Sequence, residues 1–517
     1  MFRHHVSVGL LSLASFALFE QATAQGLGAL DPTWGNGGIV VLPVARSGIM
    51  DIAVQADHKL VVATSKDTVI SPLVRLLPDG SLDPDFGANG VAQPVQISNA
   101  PYRRSAWAVV LDDSARMLIT GTATDSVWLA RMLPNGEPDL SFGPNGYFAY
   151  SKQPSAQYLG TNITIDAQGR ILLGASEYLF PEWQAALIRV LPTGVIDSTF
   201  GMAGRTDVPS PPGSGPVAYE SCVLPSGSIF TVGSCRIGLD QRPFLGKMLA
   251  DGTADLSFGT NGYILPQFSP FPSSRAYLTQ CHLLAPDRLL LNTGGSGPVG
   301  ESEVTVLMDT LGNYVESFGQ NGRAWTDLEN SSILLGPQHC PMEVGSPRGI
   351  LDEPRIVNCN YHQDRIHVGR LFTNGETDTE FGNNGVATHE MAGDINVSCL
   401  ALDGCRIYVA FRVLVGDTTQ QAVVIALDGC GGKTTAVEGM NAQHILAPYP
   451  NPANDVVRVQ LAFPHERVRF HDALGRSLSV PISNVNGIMV LEVGSIPNGV
   501  YTLSTDQGRT SRLVVQH

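Results

Sequence analysis

Past its first two dozen residues the chain has no run of about 18 apolar residues, so no later segment is expected to cross a bilayer as a helix. Charge is scarce at 15% of residues, and the basic side is the poorer one: 32 Lys and Arg against 47 Asp and Glu leave a net charge of −15. No long basic run is present to neutralise phosphates, which excludes nucleic acid as a partner. Catalytic signatures are missing as well. There is no H-E-x-x-H, P-loop or Cys-x-x-Cys, and Gly294-Gly295-Ser296-Gly297-Pro298 breaks the nucleophile-elbow pattern at its last place. No catalytic residue, metal site or cofactor is therefore assigned, and the chain is read as non-enzymatic.

What is abundant is turn material. With 43% hydrophobic residues, 55 glycines and 34 prolines, the composition is that of many short strands punctuated by turns, an all-β chain. At the start, Arg3 precedes an apolar run from Val6 to Phe19, then Ala22-Thr23-Ala24. That order is a secretory signal peptide over residues 1–24.

An aromatic-Gly pair recurs at Trp34, Phe86, Phe142, Phe200, Phe258, Phe318 and Phe381, with steps of 52 to 63 residues. Six residues before each aromatic stands a glycine, and four after it another, as in Gly80, Phe86-Gly87 and Gly90. Asn-Gly pairs at the end of most copies predict type I′ turns, each starting a strand. About four strands fit in each period of roughly 58 residues, the content of one propeller blade. The expected fold over residues 25–430 is a seven-bladed β-propeller. Its first strand, in "GGIVVLP", and its last, in "QAVVIALDG", are expected to share one blade.

Within the repeat a basic residue stands five before the turn glycine at Arg75, Arg131, Arg189, Lys247 and Arg370, and Asp83, Asp139, Asp197, Asp255 and Asp378 stand three before the aromatic. One copy lacks both, with Leu307 and Val315, as a structural ion pair requires; Asp31 has no partner by this rule. Repetition in most blades favours the ion pair over a ligand site. Eight cysteines fit no zinc-ribbon spacing. Cys222, Cys281, Cys340 and Cys399 fall 59 residues apart and are expected at equivalent places in neighbouring blades. Buried thiols and disulfides are equal readings, with Cys340 and Cys359 the best-placed pair.

Residues 431–446 read as a linker, and 447–517 as a small β-sandwich. Three motifs occur there in order: Tyr449-Pro450-Asn451-Pro452, then Asp472-Ala473-Leu474-Gly475-Arg476, then Ile496-Pro497-Asn498-Gly499-Val500-Tyr501. They resemble the type A C-terminal sorting domain of type IX secretion, and the repeats resemble the delta-60 family of bacterial surface proteins. The resemblance implies export through the periplasm, engagement of the type IX machinery, and a destination at the outer-membrane surface or beyond.

The sixth unit gathers His339, Asp352, Glu353, His362, Asp364 and His367, residue types that bind metals or move protons. His362 and His367 are an odd number apart, so on one strand they face opposite sides. The leading expectation is a surface propeller for binding or adhesion, with a glycan or protein as ligand. A structural surface-layer component and a propeller enzyme, such as a glycan lyase or hydrolase, are the alternatives.

Overall fold

A computed structural model describes residues 26–429 apart from short stretches, the longest being 95–104, 268–275, 326–341 and 346–354, and within 448–515 chiefly the strands. Residues 1–24, expected from the sequence to be a signal peptide, lie outside the described residues. The chain separates into two compact units, Met1–Lys433 and Thr434–His517.

In the first unit, short apolar strands separated by glycine turns pair antiparallel with their chain neighbours, giving seven four-stranded sheets, one of which carries a further two-residue strand paired with the end of its second strand. Blade 1 spans residues 47–92, blade 2 105–150, blade 3 157–207, blade 4 217–264, blade 5 276–325 and blade 6 342–390. Blade 7 takes three strands from 394–428 and its fourth, Ile39–Val41, from the other end of the propeller, with Ile39 opposite Ile425. The first strand of each blade lies beside the first strands of both neighbours, and blade 7 beside blade 1, which closes a seven-bladed ring around those strands.

The core sits between blades. One cluster joins blades 1 and 2 through Val61, Phe86, Val109 and Ile119, and another joins blades 7 and 1 through Trp34, Ile52, Val74 and Tyr408. Every seam has such a cluster. Each blade thus buries both of its faces, which a single four-stranded sheet is unable to do alone.

In the second unit the strands form two four-stranded antiparallel sheets. One holds Pro448–Tyr449, Val456–Gln460, Ile488–Glu492 and Ile482–Val485; the other holds Ser477–Leu478, Val468–His471, Gly499–Thr505 and Thr510–Val515.

Candidate functional site

Because the strands of a blade alternate in direction, the turn after the first strand and the turn after the third lie at the same end. The repeated phrase is that third turn, so all seven copies decorate one face of the ring. At its tip Asn89 and Gly90 have φ of 53° and 89°, and Ala88 and Val91 exchange backbone hydrogen bonds, the type I′ geometry expected. All seven aromatics are buried, as is Asp83. Six of the aromatic rings pack against the turn glycine of the following blade, while Gly194 faces the backbone of Phe142 and Gly143: a Cβ on Gly136 would stand 2.9 Å from Phe86, and one on Gly252 2.7 Å from Phe200. The glycine six before each aromatic therefore makes room for the aromatic of the previous unit.

The opposite charges meet as expected. Arg75, Arg131, Arg189 and Arg370 place Nε 2.8 to 2.9 Å from Oδ2 of Asp83, Asp139, Asp197 and Asp378, and Lys247 reaches Asp255 at 2.9 Å. The guanidinium also lies over the aromatic ring, 4.5 Å from the Phe142 centroid for Arg131. Its Nη1 then donates to the next blade's turn, Arg131 to the Pro192 carbonyl and Arg189 to the Ala250 carbonyl, both at 2.6 Å. One cation thus joins its own turn to the next blade.

Asp31 departs from the sequence expectation. It is paired with Arg406, whose Nε is 2.8 Å away and whose Nη1 donates to Pro78 in blade 1. Arg406 begins the second strand of its blade, a position that also carries Lys59, Arg116 and Arg355, each within reach of its blade's aspartate. Aligning the turns after the first strands would have found this second basic position. Burial acts to raise the carboxyls of Asp31, Asp83, Asp139 and Asp197, but hydrogen bonds within the turn and the adjacent cations hold them below the ordinary value. At Asp255 the Ser257 hydroxyl leads the same lowering.

Near the ring axis, Asp51 on the first strand of blade 1 accepts a hydrogen bond from the Val109 amide of blade 2 at 2.8 Å. Burial pushes its carboxyl up to about 7, against the amides of Val109 and Ile52.

The other face carries no repeated phrase. In blade 3, Tyr178 and Trp183 stand opposite each other across the hairpin with rings 5.4 Å apart, and Phe180 at its tip is 86% exposed. In blade 4 the corresponding tip exposes Leu239 and Ile237. The sequence reading passed over these residues because they occur once and carry no charge.

Most of the histidine and carboxylate group of the sixth unit, the His362 side chain included, is not described by the structure. His339, Asp352 and Glu353 lie outside the described residues, Asp364 is exposed, and His367 meets Thr388 Oγ1 at 3.0 Å. Among the described residues no group of three or more His, Cys, Asp or Glu is placed to hold a metal ion.

Of the two equal readings for Cys340 and Cys359, Cys359 is a thiol buried at the seam of blades 6 and 7, and Cys340 lies outside the described residues. Cys405 is the disulfide-bonded cysteine among the described residues. In the second unit Pro450, Asn451, Pro452, Asp472, Gly475 and Arg476 lie outside the described residues, while Tyr449 ends a short strand. Pro497 and Asn498 are exposed, and Gly499 opens the strand in which Tyr501 is buried. The Tyr501 hydroxyl donates to the Pro497 carbonyl at 2.7 Å, and its ring stacks on Phe470 with centroids 5.0 Å apart. The Pro-Asn-Gly-x-Tyr motif is thus a tied corner.

Residues 447–516 match the secretion system C-terminal sorting domain, and residues 55–86 match the family described as a domain of unknown function, DUF5122 beta-propeller. No curated protein matches the chain. Among solved structures, virginiamycin B lyase from Staphylococcus aureus is similar, at 11% identity over 75% of this chain and 98% of that one, with a TM-score of 0.42. The Nup133 beta-propeller domain of Vanderwaltozyma polyspora is similar at 9% identity over 75% and 97%, with a TM-score of 0.40. The chain joins a delta-60-type propeller to a type IX sorting domain, and the sorting domain addresses it across the outer membrane to the cell surface or exterior.

Proposed function

We propose that the propeller is a non-enzymatic binding or adhesion module that takes its ligand on the face opposite the repeated phrase. The observation that carries this reading is the blade 3 hairpin, where an exposed Phe180 at the tip stands above the half-buried pair Tyr178 and Trp183, an aromatic group that no other described hairpin repeats. Exposed aromatic surface is costly to leave in water, and recognition surfaces use it as a large anchor of low conformational entropy. The phrase-bearing face, by contrast, is occupied with holding blades together. On this reading the ligand is a surface glycan or protein.

The test is a glycan and protein array probed with the purified exported protein and with a Phe180→Ser/Trp183→Ala variant. Ligands captured by the first and lost by the second support the reading; an array with no captured ligand favours a structural surface-layer role.

On the same footing, the two C-terminal sheets pack face to face as a small sandwich that engages the type IX machinery, and the tail is removed within 431–446 after passage. Intact mass of the surface or released form checks this, since a species still carrying Tyr449 to His517 rules out removal.

A further inference from the structure

We propose that Cys222 and Cys281 form a disulfide in the exported protein, a covalent lock across the seam of blades 4 and 5. Both residues sit on the first strand of their blades, but the 59-residue spacing does not make them equivalent: Cys222 stands opposite Phe230 and Lys247, the place that His282 holds opposite Leu290 and Leu307, so Cys281 lies one residue earlier, on the other side of its strand, and the two face each other across the seam. Both are buried in one apolar cluster with Phe230, Leu278 and Val306, and their thiols hydrogen-bond each other. Two thiols in contact, in a chain that traverses an oxidising compartment, are placed to be joined.

This seam also lacks one backbone tie that the other six have. A glycine amide of the phrase donates to the following blade's turn from blade 1 to 2, 2 to 3, 3 to 4, 5 to 6, 6 to 7 and 7 to 1, through Gly87, Gly143, Gly201, Gly319, Gly382 and Gly35. Among the described residues Gly259, the equivalent in blade 4, makes no such bond. The cation there is Lys247, a point charge whose Nζ is 3.4 Å from the Thr310 carbonyl, where arginines at other seams reach 2.6 Å. A covalent link falls at the one seam that lacks this backbone tie.

The chemistry is thiol–disulfide exchange with a small-molecule or protein disulfide as oxidant. One thiolate attacks that disulfide, forming a mixed disulfide and expelling a thiolate; the second cysteine then attacks the mixed disulfide and expels the other. The two cysteines together lose two protons and two electrons, and the oxidant leaves as two thiols. Burial and the neighbouring Cys222 raise the Cys281 thiol well above its ordinary value, so the folded pair is a poor nucleophile and the exchange belongs to folding in the periplasm.

The test uses the exported full chain, denatured with an alkylating agent present and digested with trypsin. The expected product joins peptides 206–236 and 276–288. Because peptide 206–236 also holds Cys235, the link must vanish in a Cys222→Ala variant. Reductant should lower the unfolding midpoint of the wild type by about 2 to 5 °C more than that of a Cys222→Ala/Cys281→Ala variant, which keeps the Cys405 bridge as common background. Recovery of Cys222 and Cys281 as separately alkylated peptides, or a link that persists in Cys222→Ala, overturns the proposal.

Discussion

Arg131 illustrates how a charged residue is used inside an apolar seam. It is buried together with Asp139, so Arg131→Ala leaves a buried carboxylate with only the distant Arg116, 3.9 Å away, as its cation, and the expected loss is about 3 kcal/mol in denaturant unfolding. The chain itself contains the alternative. Blade 5 has Leu307 and Val315 at these places, so the paired change Arg131→Leu/Asp139→Val should stay within about 1 kcal/mol of wild type. If the double variant loses as much as the single one, the contact to the Pro192 carbonyl, not the ion pair, is the essential part. The pair was legible in the sequence because its two members disappear together. The Asp31–Arg406 pair was not, because its cation comes from a different strand of the blade, 375 residues away.

The carboxylates also fix an acid limit. Asp31, Asp83, Asp139, Asp197 and Asp255 lie below 3.8 when folded, so their contribution is complete above the unfolded value and is lost as pH falls through the lower folded values. Unfolding midpoints should therefore drop steeply below about pH 4. Asp51 has the opposite sign: its folded value of about 7 makes its contribution present below 3.8 and lost as pH rises through 7. The fall in midpoint between about pH 4 and 7 should be shallower in Asp51→Ala than in wild type, and identical slopes would remove Asp51 from the account.

At the scale of the turn, two substitutions separate backbone demand from crowding. Gly136 has φ of 86° and no space for a Cβ, which would stand 2.9 Å from Phe86 and Ala92, so Gly136→Ala is expected to cost about 2 to 4 kcal/mol. Ala203 occupies the position that Asn89, Asn145, Asn261, Asn321 and Asn384 hold elsewhere, at a φ of 53°. Ala203→Asn should add about 0.5 to 1 kcal/mol, since asparagine tolerates the left-handed region better than alanine. Thermal unfolding of the two variants checks both signs. The turn type and strand count were readable from spacing because a turn is a local object. The sequence did not show what the glycine at the head of each phrase accommodates, because the aromatic it faces belongs to the preceding blade.

At the scale of the whole chain, closure and export are written at opposite ends and should fail differently. Removing residues 26–44 while keeping residues 1–25 deletes Trp34 and the strand Ile39–Val41, leaving Thr419–Asp428 as an unpaired edge and exposing the face that Leu42 and Trp34 cover. The expected product is protease-sensitive and poorly recovered in any compartment. Deleting 447–517 removes none of the contacts that close the ring, since the propeller and the tail are separate compact units. That product should be folded, resistant to protease and confined to the periplasm. Fractionation combined with limited proteolysis distinguishes the two. A tail-deleted chain that reached the medium intact would show that the sorting domain is dispensable for delivery, and a periplasmic form that was readily digested would show that it also supports folding of the ring.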